Sequence, residues 1–131
     1  MSVSISIGEV KLEAIAIAAS VFERTCLLAL LVETSETFTL TEMVNRLPGF
    51  LQEQGAKTVS ISLSTGQASW HLGKLKDVNL VQVNDKKYTA TPMGAFVYKN
   101  FIRDPFLYSL IPDIDPDLRR MAPERKPESA M

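Results

Sequence analysis

The chain of 131 residues holds one cysteine, Cys26, one histidine, His71, and one tryptophan, Trp70. A lone cysteine excludes an internal disulfide and any multi-cysteine zinc site. With one histidine beside it, a metal centre built of His and Cys is not expected, and no cofactor is implied. The formal net charge is −1, which excludes binding to nucleic acid by bulk basicity alone. No uninterrupted apolar run reaches the ~18 residues of a membrane span. The nearest run, Ile15 to Phe22, follows Glu9, Lys11 and Glu13 and precedes Glu23 and Arg24, unlike a secretory leader. The expectation is therefore no membrane and a cytoplasmic location. What remains is ordinary for a globular domain: 46% hydrophobic and 22% charged residues, enough for one core without metal or disulfide support.

Charge is unevenly spread. Residues 1–56 carry a net −4, residues 57–91 a net +3, and residues 92–131 balance. The middle third is the basic one. Prolines are uneven too: five of the seven lie at 105, 112, 116, 123 and 127. The chain thus divides into an N-terminal arm at 1–9, a folded domain at 10–104 and a Pro-rich, largely disordered tail at 105–131. Within that tail the stretch Pro105 to Ile111 is apolar enough to dock.

Residues 1–8 alternate Val3, Ile5 and Ile7 with serines, the period of a short strand or a frayed arm. From Val10 to Val32 the period is helical, with two apolar stripes side by side. A helix apolar on two sides is either wrapped wholly by its own domain or shared with a second copy of the chain. Thr39-Leu40-Thr41-Glu42 has the form of a capping box, and Leu40, Met43, Val44 and Leu47 follow at helical spacing. Pro48-Gly49 is expected to break or kink that helix. After an irregular stretch, Thr58 to Leu63 is β-prone.

Ser64-Thr65-Gly66-Gln67 is a second capping box, opening a helix over 65–79. Ala68, Leu72, Leu75 and Asn79 share its inner face, with His71 and Val78 at the edge. Leu80 to Val83 reads as a strand, Asn84-Asp85-Lys86 as a turn, and Lys87 to Ala90 as the returning strand. Thr91-Pro92 caps a last helix. The fold class is mostly α with a small β-hairpin.

That order of elements, with His71-Leu72-Gly73-Lys74-Leu75 inside the capped helix, Leu80-Val81 after it and Tyr88-Thr89-Ala90-Thr91-Pro92-Met93-Gly94 after the hairpin, resembles the winged helix-turn-helix regulators of the ArsR/MarR type. The resemblance covers about residues 38–98. It implies a homodimeric reader of duplex DNA, a transcriptional regulator with no catalytic activity. Its recognition helix would enter the major groove and its wing would touch the backbone or minor groove. The clustered Cys, His and carboxylate residues of the family's metal-sensing branch have no counterpart here, so metal sensing is not implied.

The residues expected to face DNA are Ser64, Thr65, Gln67, Ser69, Trp70 and Lys74 on the helix, with Lys86 and Lys87 on the hairpin. Gln67 can pair with adenine and Lys74 with phosphate or guanine. Ser64 and Thr65 can meet phosphate at the helix N-terminus. Asp77 on the same face opposes that role. Trp70 stands where the family usually carries a polar residue, and three readings stay open. It packs inward against 50–63, or it touches thymine methyls and sugar, or it anchors a protein partner. The alternative function is accordingly a protein-binding module, an adaptor that uses the Trp70 face. Gly73 either permits close backbone approach or is merely tolerated. His71 is expected at the core edge, bonded to backbone, and Cys26 as a small buried hydrophobe. No Ser-His-Asp or Cys-His pairing follows from the spacing, and an enzyme is not expected.

Overall fold

The computed structural model describes residues 11–56 and 61–110. The expected arm and strand at 1–9, residues 58–60 of the β-prone run and the tail beyond 110 lie outside the described residues. The chain is mostly helical with a small three-stranded antiparallel sheet. Its order is α1 (Leu12–Ala19), α2 (Phe22–Thr34), β1 (Phe38–Thr39), α3 (Leu40–Glu53), α4 (Thr65–Asp77), β2 (Val81–Asn84), β3 (Lys87–Ala90), α5 (Pro92–Val97), a π-helical turn (Tyr98–Ile102) and α6 (Arg103–Ser109). In the sheet, β3 lies between β1 and β2. Phe38 pairs with Tyr88, and Val83 pairs with Tyr88 from the other side.

The single helix expected over 10–32 is two helices. They meet at Ser20–Val21 and bend by 104°. No glycine or proline marks the break. Val21 is extended (φ −130°, ψ 126°), and α2 closes the end of α1 with its own side chains. Arg24 Nη1 donates to the carbonyl of Ile17 at 2.9 Å, and Thr25 Oγ1 donates to that of Ala18 at 2.7 Å. The C-terminal carbonyls of a helix need such partners, and here they come from the next helix. Among the described residues no single helix is long and apolar enough to cross a membrane. The bent pair α1–α2 passes on length and composition alone, but α2 is the core of the fold.

Every residue of α2 from Arg24 to Val32 is buried. α1, α3, α4, α5, the π turn and β3 all pack on it. From Arg24 to Val32 its second apolar stripe is thus covered within the chain, and of its apolar residues only Phe22, in the first turn, reaches the surface. The helix ends at Ser35, in the left-handed region (φ 56°), whose N–H donates to Leu31 O.

α3 starts with the expected capping box: Thr39 Oγ1 accepts from Glu42 N, and Glu42 Oε1 accepts from Thr39 N. It does not break at Pro48. Met43, Leu47, Phe50 and Leu51 are all buried, at the i, i+4, i+7, i+8 spacing of one helix face. Burial of Phe50 and Leu51 outweighs the one backbone hydrogen bond that proline forfeits. Arg46 and Glu53 pair across the exposed side at 3.0 Å.

The end of α4 is two residues earlier than expected. Asn79 takes the left-handed conformation (φ 65°). Its N–H donates to Lys76 O, and that of Leu80 donates to Leu75 O, the paired bonds of a Schellman motif. The chain turns there into β2. Thr91 closes the far end of the hairpin. Its N–H donates to Leu80 O, its hydroxyl donates to Asn79 O at 2.6 Å, and the same oxygen accepts from Gly94 N. This draws α5 so close that a Cβ on Gly94 would sit 1.9 Å from Leu80 O. Only glycine fits there.

The last helical segment carries its buried side chains at Tyr98, Ile102, Phe106 and Leu110. A four-residue step overshoots an α-helical turn of 3.6. The wide π turn takes up part of the excess. Tyr98 donates to Glu33 Oε2 at 2.9 Å, and Arg103 Nε meets the same oxygen at 2.9 Å, pinning this rod to the end of α2. Burial, with help from Glu33, pushes the Tyr98 phenol well above its usual range. The apolar stretch after Asp104 therefore docks through Phe106 and Leu110, and the boundary drawn at 104 falls inside α6.

Candidate nucleic-acid interface

α4 is divided lengthwise. Ala68, His71, Leu72 and Leu75 are buried; Gly66, Gln67, Ser69, Trp70, Lys76 and Asp77 are exposed. The sequence pattern produces this division: inner positions recur at three and four residues, and the outer positions between them are polar or glycine except Trp70. At the start of the helix Ser64 Oγ accepts from Gln67 N, and Gln67 Oε1 accepts from Ser64 N at 2.9 Å. The box has a chemical consequence. Bidentate recognition of adenine needs both ends of a glutamine amide, and in the capping box one of the two lone pairs of Gln67 Oε1 is held by Ser64 N. The amide nitrogen keeps both donors, suited to phosphate or to purine N7 and O6.

Thr65 and Ser69 are exposed beside it. Trp70 is 56% exposed. The reading in which it packs inward is overturned, because the inner face is filled by smaller side chains and by His71. Its indole instead lies between neighbours on the surface. Lys74 Nζ is 5.2 Å from the ring centroid and Arg24 Cζ is 5.4 Å from it, both in cation–π range. The His71 ring meets it edge-on at 5.1 Å and 72°. Gly73 is tolerated rather than required within the fold, since a Cβ there would meet nothing within 4 Å.

Lys86 and Lys87 are exposed on the hairpin. Asp85 (φ 53°) and Lys86 (φ 66°) are both left-handed, as a two-residue hairpin turn of type I′ demands. The turn thus holds a lysine at its tip in a conformation where glycine costs less. The structure brings Ser64, Thr65, Gln67, Ser69, Trp70 and Lys74 onto one helix. Lys86 and Lys87 stand on a separate element, joined to it through β2, which packs on α4.

His71 is buried, but its partner is not backbone. Arg24 Nε donates to His71 Nδ1 at 3.3 Å, which fixes the proton of a neutral imidazole on Nε2. Burial first, and Arg24 second, hold the His71 pKa below its ordinary 6.5, against a smaller opposing pull from Glu23. Arg24 itself is 4% exposed and has no carboxylate within ion-pair distance among the described residues. Sequence reasoning missed it. A lone cation inside an apolar helical run was visible; that it reached the tryptophan was not.

Cys26 lies in the middle of α2, fully buried. Burial and the nearby Glu23 push its thiol up to about 12, so it is not a thiolate nucleophile at neutral pH. Among the described residues no group of three His, Cys, Asp or Glu is placed to hold a metal ion. Comparison with family models, curated proteins and solved structures gives no match, so the functional reading rests on geometry and chemistry alone.

Proposed function

We propose that this chain is a winged helix-turn-helix regulator that binds duplex DNA as a homodimer. α3 and α4 are the helix-turn-helix, α4 reads the major groove, and the β2–β3 hairpin is the wing that tracks phosphate. One observation carries this reading: α4 buries a single face, keeps a polar and cationic face outward, and runs at once into a hairpin with lysines at its tip. The sheet order, with β3 between β1 and β2, supports the same reading, as does the local +3 charge of residues 57–91. A homodimer is drawn from what α1, the first turn of α2, the π turn and α6 leave uncovered. Leu12, Phe101 and Tyr108 are exposed, and a groove of about 250 Å³ runs between Phe22, Phe101 and Pro105. Few cations face outward per protomer, so two protomers together are needed for tight, salt-sensitive binding. The test is a mobility shift at low salt with random genomic fragments. A shift at micromolar protein is expected; its absence across the pool sinks the proposal.

The exposure of Trp70 favours a second reading, a protein-binding module. Gly66 and Gly73 leave the face around the indole flat, and Asp77 makes it poorer in positive charge. Exposed tryptophan is typical of interface hot spots. Fluorescence of this one tryptophan separates the two readings. Emission that shifts with DNA supports the regulator; emission indifferent to DNA, but shifted by a purified protein partner, supports the module.

A further inference from the structure

Trp70 does not behave as an ordinary surface side chain. A tryptophan on a helix face normally rests on its own helix or swings in solvent. Here the ring leans on a guanidinium from another helix, and that guanidinium is itself inside the protein. Arg24 uses Nη1 for Ile17 O and for Ser20 Oγ (3.2 Å), and Nε for His71 Nδ1. All three bonds hold the guanidinium where its Cζ lies 5.4 Å from the indole centroid. His71, next to Trp70 on α4, supplies the acceptor, and its ring stands edge-to-face with the indole at 5.1 Å. The elbow between α1 and α2 and the exposed face of α4 are thereby joined through two buried polar side chains.

We infer that Arg24 and His71 are positioning residues for Trp70: the buried pair holds the indole in one pose on the outer face of α4 and releases it when His71 gains a proton. This deepens the DNA-binding reading and rests on it for the affinity arm below. The physical reason is simple. An imidazolium carries hydrogen on both nitrogens and cannot accept from Arg24 Nε. Protonation would also set two cations 3.3 Å apart in a site with little water to screen them. The charged groups acting on His71 are Arg24 and, opposing it, Glu23, both on α2. Among the described residues, the other elements packed on α4, which are α1, α3 and β2, bring no further charge to bear on it. Either the imidazole or the guanidinium must then move, and each touches the indole.

The experiment uses the full chain, and the single tryptophan and single histidine make it clean. Trp70 emission and its quenching by acrylamide are followed from about pH 7.5 down to about pH 4.5, well below the ordinary histidine value because the His71 pKa is lowered, with far-UV circular dichroism alongside and His71→Gln as the control for carboxylates at the acid end. The expected result is greater quenching and a red shift on acidification at constant circular dichroism. His71→Gln, which can still accept from Arg24 but does not titrate, is expected to stay flat. A flat wild type, the same transition in His71→Gln, or loss of circular dichroism in step with the emission each overturns the proposal. This arm contains no DNA, so it stands or falls apart from the DNA-binding reading. With DNA present, affinity is expected to fall several-fold on acidification in the wild type and to hold in His71→Gln. Tighter binding in acid would mean that His71 merely adds a positive charge, and would also overturn it.

Discussion

α2 and α4 are each 13 residues long, and they do opposite things. α2 is enclosed on every side from Arg24 to Val32, so its sequence is spent on packing, and even its one arginine is drawn inside. α4 is enclosed on one side only, so half of its residues are free of the core. The contrast teaches where to look for function. In a chain this small, a helix that the rest of the fold surrounds has nothing left to offer a partner. The helix with a solvent face carrying glycine, hydroxyl groups, a lysine and a tryptophan does.

The sharpest way to break this contrast is to truncate one side chain on each helix. Leu28→Ala in α2 is expected to cost about 2–5 kcal/mol in denaturant unfolding. Trp70→Ala is expected to change stability by no more than about 0.5 kcal/mol beyond its lost cation–π contacts, while binding to DNA is lost. Equal losses of stability would erase the distinction. The glycines sharpen it further. Gly94→Ala drives a methyl into Leu80 O and is expected to cost about 1–3 kcal/mol. Gly73→Ala meets open space and is expected to raise stability by about 0.5–1 kcal/mol, read from thermal melts. If Gly73→Ala also weakens DNA binding, the ligand approaches the α4 backbone there.

Acid comes next in size. His71 is held below its ordinary 6.5 in the folded chain, so the unfolded chain binds more protons at and below that value. Stability is complete above pH 6.5, falls as the pH drops through it, and levels off once the folded histidine also titrates. Urea unfolding across that window measures the loss, and His71→Gln removes it. The smallest effects lie on the hairpin. Lys86→Ala and Lys87→Ala are each expected to leave stability nearly unchanged and to reduce the salt slope of DNA binding by about 1.

Local signals in the sequence were reliable here and long-range ones were not. Both capping boxes, the Thr91 cap on Gly94 and the turn of the hairpin are made by residues within four positions of each other, and each appears where its pattern stands. The inner face of α4 appears at Ala68, Leu72 and Leu75, with His71 joining it from the edge and Asn79 leaving it, because the helix has ended before Asn79. The break at Ser20–Val21 was invisible because Arg24 and Thr25 make it, by reaching back to carbonyls rather than by any breaker residue. The break expected at Pro48 does not occur, since the apolar spacing on either side of it is continuous and decides the outcome. At the candidate interface the exposed set was legible from periodicity. The support beneath it was not, because Arg24 meets His71 from 47 residues away. The pairing of β1 with β3 is likewise a tertiary event that a two-residue strand cannot announce.

The wide turn at Tyr98–Ile102 has a consequence for tolerated changes in chain length. It has the form of a one-residue surplus in an otherwise regular winding. Delete either solvent-side residue, Lys99 or Asn100, and the inward set falls at the first, fourth, eighth and twelfth positions. An ordinary α-helix keeps that spacing on one side at about 100° per residue, so the rod can straighten with Phe106 and Leu110 still seated. Insert one residue instead, and the same arithmetic swings both of them toward solvent. This stretch should forgive shortening and punish lengthening, an asymmetry that a scan of single deletions and insertions, read by melting temperature, would expose directly.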